Sequence, residues 1–205
     1  MQCQSSSIEQ SDNAFGMLID NISRLVTISE EDKLLIKKKF SAKKLLRKQF
    51  LLQQGDVCKH ENFVTKGCFR SFCLDKRGNE HVLHFAIENY WITDLVSLLE
   101  QTPTHVYIEA LERSEVLQLE RSDLDTLLAE CSAFEKFSRI LHQRAYVAQN
   151  NRILDNIALD ARERYLKFVE RYPQLLERVS QKDIASFLGI TPVFLSQIQK
   201  TLYAN

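Results

Sequence analysis

The sequence predicts an α+β protein: N-terminal helices, a β-roll, one long helix, and an all-helical C-terminal end. Two observations carry this. Between about Lys43 and Leu119, short runs such as "NFVTKG", "FRSFCLD", "HVLHFAI", "HVYIEAL" and "SEVLQLE" are rich in β-branched and aromatic residues, and Gly55, Gly67, Gly78 and Pro103 punctuate them. Strands recurring every 8 to 12 residues or so argue for a compact barrel or roll. On both flanks the apolar residues instead recur at three-to-four spacing, as in amphipathic helices.

Taken in order, Phe15, Leu18, Ile19, Ile22, Leu25 and Val26 predict a helix from about Ala14 to Val26. Ser29 then caps a second helix, "EEDKLLIKKKF", with acids in its first turn and lysines in its last, as the helix dipole favours. Within the roll, "CLDKRGNEHVLHF" is the clearest hairpin, an Asp-Lys-Arg-Gly turn between two strands. From "RSDLDTLLAE" onward the pattern is helical again. Phe134, Phe137, Leu141, Ala145 and Ala148 make a seam along a helix reaching about Ala158. That seam either packs on the roll or faces a second copy; the helix length and the alanines, which let two backbones approach, favour a homodimer. "DARERYLKFVERYPQLLERV" is a further amphipathic helix stopped by Pro173. The expected division is a roll over residues 1–130, a dimerisation helix over 131–158 and a helical domain over 159–205.

Composition narrows the function. The 27 basic and 27 acidic residues cancel, so any nucleic-acid role must rest on a local surface. No run approaches a membrane span and no signal peptide is visible, which predicts a cytoplasmic protein without membrane partners. Cys3, Cys58, Cys68, Cys73 and Cys131 lack disulfide or zinc spacing and are expected to be reduced thiols. His81 and His84, three apart on a strand, point to opposite faces unless a bulge intervenes, so no metal site is expected. Without a GxSxG, P-loop or Rossmann fingerprint, neither enzymatic activity nor a cofactor is expected.

The sharpest signal is "IASFLGITPVFLSQIQK", residues 184–200. In a helix-turn-helix the first helix needs a small residue at the crossing, the turn needs a glycine, and both helices need apolar inward positions. Ile184, Ala185, Leu188, Gly189, Ile190, Leu195 and Ile198 all fall where that geometry requires. Thr191 can cap the second helix, whose first turn accommodates Pro192. Its outward face is then Thr191, Pro192, Val193, Ser196, Gln197 and Lys200, placed to meet base edges and phosphates, with Gln181 and Lys182 adding backbone contacts. So few cations predict a shallow salt dependence.

The order of N-terminal helices, β-roll, long helix and terminal helix-turn-helix resembles the Crp/Fnr superfamily of bacterial transcription regulators. "FLLQQGDVCKHENFVTKGCFRSFCLDKRGNEHVLHFA" and "IEALERSEVLQLERSDLDTLL" carry the resemblance with the helix-turn-helix. It implies a roll of the cyclic-nucleotide-binding type and a dimeric regulator that binds palindromic DNA, with RNA polymerase as a further partner. Two departures matter. The stretch corresponding to the family's nucleotide cassette offers Asp94, Thr104 and His105 but no arginine between Arg77 and Arg113, so cyclic-nucleotide dependence is not expected. Trp91, Asp94, Thr104 and His105 are the candidate lining of a pocket for some other ligand. The recognition helix carries Val193 and Gln197 where related proteins resemble an acid and an arginine. Hence an alternative function is a dimeric ligand-sensing or protein-interaction module whose helix-turn-helix has lapsed.

Overall fold

A computed structural model describes residues 2–203, and side chains between Asp12 and Leu202. Helix α1 (Gln2–Ser23) and helix α2 (Glu30–Lys39) precede the roll. The Ser29 hydroxyl accepts the Asp32 N–H at 3.1 Å and the Asp32 carboxylate accepts the Ser29 N–H at 3.3 Å, a reciprocal cap on α2. Phe40, expected at the end of that helix, instead begins a strand, because its ring is buried against Trp91 and Phe134.

The roll contains β1 (Phe40–Leu45), β2 (Phe50–Leu52), β3 (His60–Lys66), β4 (Phe69–Leu74), β5 (Glu80–Ala86) and β6 (Trp91–Ile92). Helix α3 (Leu95–Glu100) interrupts before β7 (Val106–Ala110) and β8 (Ser114–Glu120). Two four-stranded antiparallel sheets form, in orders β1-β8-β3-β6 and β2-β7-β4-β5. Helix α3 was not apparent from periodicity; its one and a half turns are nucleated by the Asp94 cap rather than by an amphipathic face. The β4–β5 register slips between Ser71 and Phe72, so Cys73 opposes His81 while Ser71 opposes His84. This bulge brings the two histidines to one face, contrary to simple alternation. No group of three side chains suited to a metal occurs among the described residues.

Helices α4 (Arg121–Glu130) and α5 (Ser132–Ala158) follow, broken at Cys131. The Cys131 N–H closes α4 on Leu127 O, while its Sγ accepts the Phe134 N–H and opens α5. Cys58, Cys68, Cys73 and Cys131 are free thiols, and burial pushes Cys68 up to about 12; the Cys3 side chain lies outside those described. The chain closes with α6 (Ala161–Arg171), a 3-10 turn (Pro173–Leu175), α7 (Gln181–Leu188) and α8 (Pro192–Tyr203). Among the described residues no helix is long and apolar enough to cross a membrane.

Two hydrophobic cores result. The larger joins the roll to α1, α2, α4 and the start of α5. The second joins Phe72, Val82, Phe85 and Ile87 of the roll to Tyr165, Phe168, Leu175, Ile184, Leu188, Leu195 and Ile198 of the tail. The tail thus shares its core with the roll's β4–β5 surface, across both expected boundaries.

Candidate functional site

The C-terminal α7–α8 unit is built by local chemistry. The Ser180 hydroxyl caps α7 by accepting the Asp183 N–H at 3.1 Å. Gly189, at φ 68°, ends α7 in the left-handed conformation that costs glycine little, and the Ile190 N–H then donates to Ala185 O at 3.0 Å. Thr191 caps α8, its Oγ accepting the Phe194 N–H at 3.2 Å. Ile184, Ala185, Leu188, Leu195 and Ile198 are buried, as expected. Gln181, Lys182, Thr191, Pro192, Val193, Ser196, Gln197 and Lys200 are all exposed, Val193 at 70%. Besides the Thr191 cap, three of them are engaged within the chain: Gln181 Oε1 accepts Gln199 Nε2 at 3.0 Å, the Ser196 hydroxyl donates to Pro192 O at 3.0 Å, and Lys182 Nζ lies 3.6 Å from Glu80.

Three arginines fasten this unit to the rest of the chain, and sequence reasoning found none of them. Arg70 of β4 meets Glu109 at 2.7 Å, Asp183 of α7 at 2.6 Å and Glu80 at 2.9 Å. Burial alone would lower its pKa, but the hydrogen bonds it donates to Glu80 and Glu109 outweigh that and raise it. Arg178 forks onto Glu88 at 2.8 and 3.1 Å and meets Glu112 at 2.5 Å. Arg152 of α5 has no carboxylate partner among the described residues; it donates to the carbonyls of Val82, Leu83 and Phe187 and lies 4.1 Å over the Phe187 ring. Ser186 of α7 adds a β5 contact, accepting the Val82 N–H and donating to Glu80 O, both at 2.9 Å. The one visible sequence signal was Arg70 itself, a lone cation inside the apolar run "FRSF".

The residues of the expected dimer seam are partly covered within their own chain. Phe134 and Phe137 are 1% exposed and belong to their own chain's core, where Phe137 meets Trp91 and Phe134 meets Phe40. Leu141 and Ala148 are half-buried and Ala145 is exposed. The exposed apolar residues of α5 are Tyr146, Val147, Ile153, Leu154 and Ile157, on the opposite side of the helix wheel. The amino-terminal half of the face that the three-to-four step marks is covered by the roll.

The four expected pocket residues do not converge either. Trp91 is an aromatic core residue between Phe40, Phe63 and Phe137, its Nε1–H donating to Asn21 at 3.2 Å. His105 is exposed. Asp94 and Thr104 do meet, but in a closed circuit. The Thr104 hydroxyl donates to Asp94 Oδ2 at 2.5 Å while Asp94 Oδ1 caps α3 through Ser97 N–H. Thr104 is buried, and among the described residues the half-buried Asp94 carboxylate has no ion-pair partner. A cavity of about 270 Å³ lies instead at the β2–β3 end of the roll, with Leu52, Val57, His60, Asn62, Ile108 and Gln118 in its lining.

One contact ties the long helix to the roll electrostatically. His142 Nε2 lies 3.0 Å from the buried Glu61 of β3, and Ser138 Oγ lies 3.3 Å from its Nδ1. The Glu61 bond raises the His142 pKa against the lowering effect of burial. A histidine raised on folding stabilises fully below its unfolded pKa of about 6.5, and the contribution disappears as pH climbs through the raised value. We therefore expect His142→Gln to cost more at about pH 5.5 than at about pH 8. Urea midpoints of both proteins at the two values check this. The comparison between proteins isolates His142 from His84, which burial lowers to about 4 and which acts in the opposite direction.

The architecture defines an α+β protein in which a jelly roll of the cyclic-nucleotide-binding type carries C-terminal helices. Residues 42–131 match the cyclic nucleotide-binding domain family. FixK2 from Bradyrhizobium japonicum is similar in fold, with a TM-score of 0.70 and 16% identity over 80% of this chain and 85% of that one. The global regulator CLP from Xanthomonas campestris, described as responsive to c-di-GMP, gives 0.66 and 15% over 86% and 92%. A mutant of CooA from Carboxydothermus hydrogenoformans gives 0.67 and 18% over 85% and 80%. No curated protein matches in sequence.

Proposed function

We propose that the chain is a dimeric, sequence-specific DNA-binding transcription regulator, without enzymatic activity and not dependent on cyclic nucleotide. The observation that carries this is the sidedness of α7–α8: Ile184, Ala185, Leu188, Leu195 and Ile198 are buried, and the eight expected DNA-facing residues all face solvent. In this reading α8 lies in the major groove, where Gln197 bonds an adenine edge, Val193 touches a thymine methyl and Lys200 meets phosphate. The dimer forms through the exposed α5 stripe rather than through Phe134 and Phe137. RNA polymerase is a further partner of the bound dimer, and the protein acts in the cytoplasm. The Asp94–Thr104 circuit supports independence from cyclic nucleotide, because a phosphate placed there would meet a carboxylate in place of an arginine.

Selection from a random DNA pool at stated salt is expected to enrich a two-fold symmetric site with half-sites about one helical turn apart. Gln197→Arg is expected to change base preference at one position of each half-site. The slope of log K against log salt should be shallow, since each neutralised phosphate contributes about −0.9. No enrichment at low salt would instead favour a protein-interaction module, a reading to which the adjacent exposed Val193 and Phe194 lend support. Cyclic AMP is expected to give no heat in calorimetric titration, and micromolar binding would overturn that part.

A further inference from the structure

The densest run of cations in the chain lies on the roll, not on the helical hairpin. Residues 37–48 hold seven lysines and arginines and no acid, in a chain whose net charge is zero. Among the described residues Lys39 pairs with Asp123 at 2.8 Å and Lys44 with Glu115 at 3.5 Å, while Lys37, Lys38, Lys43, Arg47 and Lys48 are exposed and meet no carboxylate. The second half of the run forms β1 and the tight turn into β2. Leu46 O accepts the Gln49 N–H at 3.1 Å and Gln49 Oε1 accepts the Leu46 N–H at 2.8 Å. The Lys48 N–H donates to Ala110 O at 2.7 Å, which fixes the turn to the end of β7. Leu45 joins the core, but Leu46 stands 59% exposed at the tip, flanked in sequence by Lys43, Lys44, Arg47 and Lys48. Lys43, Lys44, Lys48, Gln49, Phe50 and Gln53 line a cavity of about 430 Å³ at this turn.

We propose that this edge of the roll binds the surface of an anionic phospholipid bilayer, with Lys43, Lys44 and Lys48 around a headgroup phosphate and Leu46 seated at the acyl boundary. Each cation held close to an anionic leaflet adds to the attraction, and lysine stems lie along the apolar boundary while their ammonium groups stay at the level of the phosphates. The leucine decides between polyanions. A phosphodiester backbone offers a solvated apolar tip nothing, whereas the lipid interface buries it. Strand order sets the patch apart from the DNA-facing unit. β2 and β5, to which α7 is fastened, are the two edges of one sheet, three strand spacings of about 4.8 Å apart. Peripheral binding needs no spanning segment, so the expectation of no membrane partner, which rested on the lack of one, does not bear on this contact.

The test sediments the full chain with vesicles of phosphatidylcholine alone or with about 30% phosphatidylglycerol. Partition onto the anionic vesicles is expected to be at least about tenfold stronger, and to fall as salt rises from about 0.1 to 0.5 M. Lys43→Gln with Lys48→Gln should weaken it by about tenfold or more, and Leu46→Ser by about fivefold. Lys76→Gln with Arg77→Gln removes equal charge from the exposed β4–β5 turn and should change it by less than about twofold. All these residues are exposed, and unfolding midpoints without vesicles verify each variant. Glycerol 3-phosphate at about 10 mM should leave the protein on the vesicles. Four results would overturn the proposal: equal partition onto both vesicles, equal loss in the two double variants, full binding by Leu46→Ser, or displacement by glycerol 3-phosphate, which would make the cavity a site for a free phosphate ester. Binding of random-sequence DNA that Lys43→Gln with Lys48→Gln abolishes, without binding to anionic vesicles, would assign the patch to nucleic acid and equally overturn it. None depends on whether α8 reads DNA.

Discussion

Replacing Arg70 with methionine is expected to destabilise the protein by about 3–5 kcal/mol, the cost of removing one partner from a buried ionic cluster. The side chains of Glu109 and Asp183 are only 10% and 11% exposed, and both depend on this guanidinium. Deleting it leaves two carboxylates close together in a poorly solvated site, where each must be protonated or rehydrated by local opening. Because Asp183 sits in the first turn of α7, the opening releases α7 from β5. Chemical denaturation measures the loss. Hydrogen exchange locates it, and α7 should exchange earlier than α1 in the variant. Arg70→Lys should recover only part of the loss, since one ammonium cannot reproduce the fork that reaches three carboxylates. A variant within about 0.5 kcal/mol of the parent would show that the cluster does not hold the unit in place.

The double substitution Leu154→Glu with Ile157→Glu is expected to convert the proposed dimer to monomer. Leu154 is 60% and Ile157 79% exposed in the single chain, and fully burying such a side chain contributes about 1.5–3 kcal/mol. A two-fold interface buries each residue twice, so the dissociation constant should rise by at least about a hundredfold, and more as the carboxylates repel. Sedimentation velocity over a concentration series reads this directly. The unfolding midpoint of the monomer should stay nearly constant at low protein concentration, because neither side chain belongs to a core. Phe137→Ala makes the contrast. It should cost about 3–5 kcal/mol of fold stability whatever the oligomeric state, since the ring is packed against Trp91 and Phe134 of its own chain. A double variant that remains dimeric would place the interface off this stripe.

The helical hairpin at the C-terminus was legible because its requirements are local. Gly189 is needed for a backbone conformation, Ala185 for a close crossing, and Ser180 and Thr191 for caps, all within a dozen residues of one another. The strands were legible for a similar reason, and the Asp75–Gly78 hairpin closes as expected with Gly78 N–H on Asp75 O at 3.0 Å. The candidate pocket was not legible. Asp94 and Thr104 are ten residues apart and each is plausible as a ligand-binding group, but only the folded chain shows that they satisfy one another.

The long helix shows where sequence reasoning stops. Its periodicity established by itself that residues 132–158 are helical and carry an apolar seam, because side-chain spacing on one helix depends on the backbone alone. Which apolar side chains are already covered depends on what lies across from them, and only the tertiary structure supplies that. It assigned Phe134 and Phe137 to the roll and left Val147, Leu154 and Ile157 open. The same holds for Arg70, Arg152 and Arg178. The sequence by itself determined most of the elements, though not α3, and the sidedness of α7–α8. The attachment of that unit to the roll was decided by ion pairs between residues up to 113 positions apart, a separation over which no local pattern in the chain carries information.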